Sequence, residues 1–186
     1  MDEKARIEVF YTTCPTTPER EKISYETLDW WKSQPVNLRV VTPMLAKCSV
    51  AEFNRLRRVY ADQVAKGDHI VADDDAIPLC DIREAFGMFQ RYPDFGTLSL
   101  WPEPCVIHPW TEIEAFEDDE VMEHCSVGVI RLCRKGMPFP PSESVGYDRT
   151  HADAIRAIGK KVGLLKNYRC KHLGENKSTL WTAAAQ

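Results

Sequence analysis

The run Gly67-Asp68-His69-Ile70-Val71-Ala72-Asp73-Asp74-Asp75-Ala76-Ile77-Pro78 (GDHIVADDDAIP) decides how this sequence reads. Residues 69–72 form a short apolar stretch of strand length, opened by a Gly-Asp turn and closed by three carboxylates. Side chains at i and i+2 of a strand project to the same side. At the carboxyl end of a parallel strand they face the crevice where such sheets bind ligands, so Asp73 and Asp75 are expected to aim into it together. Paired carboxylate oxygens there suit Mg²⁺ or Mn²⁺, which neutralise a diphosphate. A bare D-x-D also occurs in helix caps and solvated turns. The apolar strand before it and the alternating elements around it favour the functional reading.

Upstream, residues 50–64 place Phe53, Leu56, Val59, Tyr60 and Val64 near i, i+3, i+4 spacing, the stripe of an amphipathic helix. Ser49 and Glu52 form a capping box at its start, and Gly67 supplies a left-handed stop. Residues 36–42 (VNLRVVT) and 6–12 (RIEVFYT) are β-branched and aromatic and read as strands. Between them Pro18 opens a helix running to about residue 33. Downstream, Asp81 and Glu84 form a second capping box ahead of a helix with Ile82, Ala85, Phe86 and Phe89 on one face. The order β-α-β-α-β-α predicts a mostly parallel central sheet flanked by helices. The later half is less regular. Strands are expected at 97–101, 126–133 and 162–165, a helix at 150–158, and loops at 102–123 and 135–147.

The 186 residues suit one domain, and 44% apolar against 28% charged residues is an ordinary globular balance. No window approaches the roughly 20 apolar residues of a membrane span, and no secretory leader is evident. Seven cysteines without a C-x-x-C pair read as reduced thiols of a cytoplasmic protein. Cys170 and His172 alone do not make a zinc site. The net charge of −4 argues against general nucleic-acid affinity, although 112–123 is acidic and 156–177 basic.

Residues 57–75, RRVYADQVAKGDHIVADDD, resemble the core of the family-2 GT-A glycosyltransferases: a basic residue on a helix, a Gly-Asp turn, an apolar strand and a D-x-D. The first strand and its loop (Thr12, Thr13, Pro18, Arg20) are similar too, as is the ending, Gly159-Lys160-Lys161-Val162 followed by His172-Leu173-Gly174. The resemblance implies an α/β, GT-A-like single domain over 1–186. A Rossmann-like nucleotide-sugar half would span about 1–100, and a minimal acceptor and catalytic half about 101–186. It implies a nucleotide-diphosphate sugar donor, a UDP-sugar by preference, with Thr12, Thr13, Arg20, Arg58, Asp73 and Asp74 around it. It implies a divalent Mn or Mg ion on Asp75 and His172, and Asp148 as catalytic base. Two places depart from the family pattern. Thr42-Pro43 stand where an Asp commonly reads the uracil ring, and Tyr147-Asp148 stand where Glu-Asp is common.

Other readings compete at single residues. Asp148 also suits a helix cap, Arg58 a solvent-facing helix position, and His172 a basic tail. His108 and His151 are alternative acceptor-site groups, and the tryptophans 30, 31, 101 and 110 read as core. At the level of the whole chain, a nucleotidyltransferase or a non-catalytic nucleotide- or sugar-binding module are the alternatives. The former expects a glycine-rich loop that 13–18 lacks. The acceptor is open: a soluble molecule, or a modified base in DNA, which would have to be flipped out of the duplex.

Overall fold

The computed structural model describes residues 7–13, 17–42, 50–103, 121–123, 128–141 and 147–173. Ser49, Pro43, His108, Trp110, the acidic run at 112–120, the start of the strand expected at 126–133, residues 142–146 of the 135–147 loop, Gly174 and Lys177 lie outside these residues.

The first half forms as the sequence predicts except for one added strand after the three carboxylates. Strand β1 (Glu8–Thr12) is followed by helix α1 (Pro18–Lys32), β2 (Asn37–Val41), α2 (Val50–Val64), β3 (His69–Asp73), β4 (Ala76–Pro78) and α3 (Ile82–Gln90). Thr17 caps α1, its hydroxyl accepting from the Arg20 amide at 3.2 Å, with Pro18 in the first turn. Asp81 caps α3, its carboxylate accepting from the Arg83 amide at 2.9 Å and also from the Glu84 amide. Gly67 does not take the left-handed conformation expected of it; α2 ends before it. That role falls to Gly159 after α4 (Tyr147–Ala157), where φ is 79°. The Gly159 amide bonds the Arg156 carbonyl and the Lys160 amide the Ile155 carbonyl, which closes the helix.

The remaining strands are β5 (Phe95–Glu103), β6 (Val121–Glu123), β7 (Ile130–Cys133) and β8 (Lys161–His172). The sheet runs β2-β1-β3-β7-β5-β8-β4, with β6 also on β8. It is mixed rather than mostly parallel. The pairs β1–β2, β1–β3 and β5–β8 are parallel, but β7 lies antiparallel between β3 and β5, and β4 and β6 lie antiparallel to β8. Alternation along β1 and β3 divides the core. Val9, Tyr11, Ile70 and Ala72 pack with Trp31 of α1 and with Ile82, Ala85 and Phe89 of α3. Phe10 and Val71 pack on the opposite face with Ala61 and Ala65, under α2. The α4 residues Ala152 and Ile155 cover Val162 of β8. Burial on both faces explains why these strands read as unbroken apolar runs.

Two features of β8 position the site. A side chain at Gly163 would put its Cβ 2.2 Å from the Met122 carbonyl oxygen, so only glycine lets β6 approach there. Beyond Leu165 the register with β5 slips, and residues 166–168 bulge out before Arg169 pairs with Trp101. The strand then turns its other edge to β4, pairing Ala76 with His172. No described helix is long and apolar enough to cross a membrane.

Candidate active site

The carboxyl ends of the parallel strands β1 and β3 carry Thr12 and Asp73 side by side. The turn Asp73-Asp74-Asp75 leads from β3 into β4, and the end of β8 is laid against it by a 2.7 Å bond from the Leu173 amide to the Asp75 carbonyl. The three carboxylates divide between two sets of arginines. Asp73 is held by Arg57 of α2 and by Arg131 of β7, the latter at 3.0 Å. Asp74 is gripped by Arg20 of α1, which also reaches Asp75 Oδ2 at 2.6 Å. Asp73 and Asp75 thus do not share a partner, as two residues of one straight strand would. Asp73 ends β3, and the turn that follows rotates Asp75 toward α1 and β8.

His172 Nε2 lies 3.0 Å from Asp75 Oδ2. Hydrogen bonding to Asp75 raises the imidazole above its ordinary value, even though burial works the other way. Burial pushes the Asp75 carboxyl up, but His172 and Arg20 outweigh it and hold the group below the usual carboxylate range. The other oxygen, Oδ1, is buried and has no hydrogen-bond partner among the described residues. Among the described residues no three His, Cys, Asp or Glu side chains converge as a metal cage. An imidazole beside a carboxylate with one unpartnered oxygen nevertheless fits a hard divalent cation that takes its other ligands from a diphosphate and water.

Asp148 falls inside the first turn of α4, not ahead of the helix as expected. Its carboxylate is ion-paired to Arg58 and lies 3.6 Å from Arg131. Burial would raise this carboxyl; Arg58 and Arg131 hold it below its ordinary value. Arg58 is 1% exposed, so the solvent-facing alternative for it is wrong. Beneath the site Tyr11 Oη lies 2.7 Å from both Thr27 Oγ1 and the Ser24 carbonyl, and Thr27 Oγ1 lies 2.9 Å from the Asp74 carbonyl. Thr13 joins this hydroxyl network through Ser24 at 2.6 Å, whereas Thr12 Oγ1 is buried and unpartnered. Cys80, Cys133 and Cys170 are free thiols.

Sequence reasoning missed Arg57 and Arg131. Arg131 left one trace, a charge within the apolar run Ile130–Cys133. Buried charges of that kind need partners, and here the partners are Asp73 and Asp148.

No protein-family model matches the chain, and no curated protein matches it in sequence. Solved structures share its fold. Crystalline A197 from STIV superposes with a TM-score of 0.57 at 10% identity, over 91% of this chain and 86% of that one. S. aureus TarS 1–349, in complex with UDP-GlcNAc, superposes with a TM-score of 0.61 at 11% identity. That match covers 95% of this chain and 61% of TarS 1–349, so the chain spans less than two thirds of that structure. The chain therefore has a mixed α/β fold, with a central sheet flanked by four helices among the described residues, and shares it with A197 and TarS 1–349.

Proposed function

We propose that the chain is a GT-A-type glycosyltransferase that moves a sugar from a nucleotide-diphosphate donor to an acceptor hydroxyl. The observation that carries this reading is the contact of His172 with Asp75. Residues 97 apart meet at the carboxyl end of the sheet, beside a buried carboxylate oxygen with no partner. The fold likeness to a structure that binds UDP-GlcNAc makes a uridine diphosphate sugar the first donor to test.

In this reading residues up to about 100 form the donor half and the rest the acceptor half. Asp75 and His172 would hold a divalent ion, which when bound neutralises the diphosphate. Arg20 orients Asp74 and Asp75 on the donor side. Thr12 and Thr13 border the nucleotide from the end of β1, and Asp73 borders the ribose, its carboxylate locked by Arg57 and Arg131. Asp148, ionised beside Arg58 and Arg131, takes the acceptor proton. The acceptor oxygen then bonds the anomeric carbon as the bond to the diphosphate oxygen breaks.

Release of nucleoside diphosphate from a panel of nucleotide sugars, with and without Mn²⁺, tests this without an acceptor. The expected result is slow, metal-stimulated hydrolysis of one donor, abolished in Asp75→Asn and His172→Ala. Donor binding without hydrolysis in every condition would point to a non-catalytic module. Release of pyrophosphate from a nucleoside triphosphate would point to a nucleotidyltransferase.

A further inference from the structure

The α4 helix presents two acceptors to one guanidinium. Asp148 Oδ1 and His151 Nδ1, one turn apart, both bond Arg58 of α2, the imidazole at 3.2 Å. A guanidinium only donates, so Nδ1 must be the unprotonated nitrogen and the proton sits on Nε2. The ring is 1% exposed. It stacks on Phe139 with centroids 4.7 Å apart, and lies nearly parallel to Tyr147 at 6.0 Å. Burial, reinforced by Arg58, lowers its pKa to about 2, so the ring stays neutral across the working range.

This histidine is costly as mere filling. Among the described residues its buried Nε2–H has no acceptor, an arrangement that a phenylalanine would avoid. What it supplies is Nδ1. Arg58 Nε has no partner, so the plane of the guanidinium is fixed through its terminal nitrogens, by Asp148 and His151. We propose that His151 is a positioning residue: by accepting from Arg58 it holds the guanidinium against Asp148 and so sets the direction and charge state of that carboxylate. The proposal rests on Asp148 being the base. The groups that face Asp148 are Arg58 from α2, Arg131 from β7, Asp73 from β3, and Tyr147 and His151 on its own helix. Of these, His151 is the uncharged one that reaches it through a hydrogen bond to Arg58, whereas Tyr147 meets the guanidinium with its ring face.

The test compares wild type, His151→Phe, His151→Asn and Asp148→Asn. Phenylalanine keeps the ring stack but removes the acceptor; asparagine places an amide oxygen near the position of Nδ1. Carbon-13 NMR titration of the Asp148 carboxyl needs no turnover. Its midpoint should rise by about one pH unit in His151→Phe, because a loosened Arg58 stabilises the carboxylate less, and should stay near wild type in His151→Asn. The acidic limb of the turnover profile for UDP-GlcNAc hydrolysis with Mn²⁺ should move upward in parallel. Turnover should fall roughly tenfold with donor KM unchanged. A carboxyl that titrates as wild type in His151→Phe, while Asp148→Asn abolishes turnover, overturns the proposal and leaves the base assignment standing. A shifted carboxyl with wild-type turnover in Asp148→Asn removes the base assignment and, with it, the catalytic role given to His151.

Discussion

Replacing Arg131 by leucine is expected to destabilise the protein by about 3–5 kcal/mol, the range seen when one member of a buried ion pair is removed. The side chain is 3% exposed and bridges two carboxylates, Asp73 at 3.0 Å and Asp148 at 3.6 Å. Without it, among the described residues, Asp73 keeps Arg57 and Asp148 keeps Arg58 as its cationic partner. At about 2–4 °C per kcal/mol for a chain of this length, the melting temperature should fall by about 6–20 °C at neutral pH. The pH dependence has a definite sign. Burial raises the Asp73 carboxyl, but Arg131 and Arg57 together depress it far below the ordinary value. Its contribution is therefore complete above the unfolded value, about 3.9, and is lost as pH falls toward the folded one. The gap between wild type and Arg131→Leu should be widest at neutral pH and close below about pH 4. Urea titration at several pH values, with differential scanning fluorimetry, measures both. The double variant Arg131→Leu/Asp73→Asn should lose less than the sum of the singles by about 0.5–3 kcal/mol. A single-variant loss under about 1 kcal/mol, or strictly additive doubles, would refute the claim that this network is one coupled unit.

Asp75→Asn should eliminate metal-stimulated donor hydrolysis while the protein still unfolds cooperatively; near-normal turnover would remove the metal assignment. Asp148→Asn should lower turnover roughly 10²–10⁴-fold with little change in donor affinity, whereas activity lost only in proportion to folded protein would mark a structural role. Tyr11→Phe should cost about 1–3 kcal/mol in urea unfolding, since it strips the buried Thr27 hydroxyl and Ser24 carbonyl of a partner. Mn²⁺ with UDP should raise amide protection at Asp75 and at His172 together. Protection that rises at Asp75 alone would exclude the histidine from the site.

The local levels of this structure were legible in the chain. Pro18 at the start of α1, the cap Asp81 and the apolar strands β1 and β3 are set by neighbours a few residues away, and the sequence pattern reports such constraints directly; the expected stripe of α2 holds only in part, since Phe53 is buried but Leu56 and Tyr60 are exposed. The D-x-D at the end of β3, and a histidine far downstream, could be singled out for the same reason and by resemblance. Where those side chains point could not. A turn after Asp73 sends Asp75 toward α1 and β8, and the bulge at 166–168 brings His172 to meet it. Insertion of β7 between β3 and β5, antiparallel to both, makes the sheet mixed and delivers Arg131 to Asp73 and Asp148. Strand order is decided by how whole faces pack, and ion pairs that span 58 residues follow from that order. The sequence by itself determined most of the elements and the carboxylates at a strand end; only the tertiary structure added the short strands β4 and β6 and decided which arginine each carboxylate answers to, because burial forces every charge to find whatever opposite charge the packed sheet places beside it.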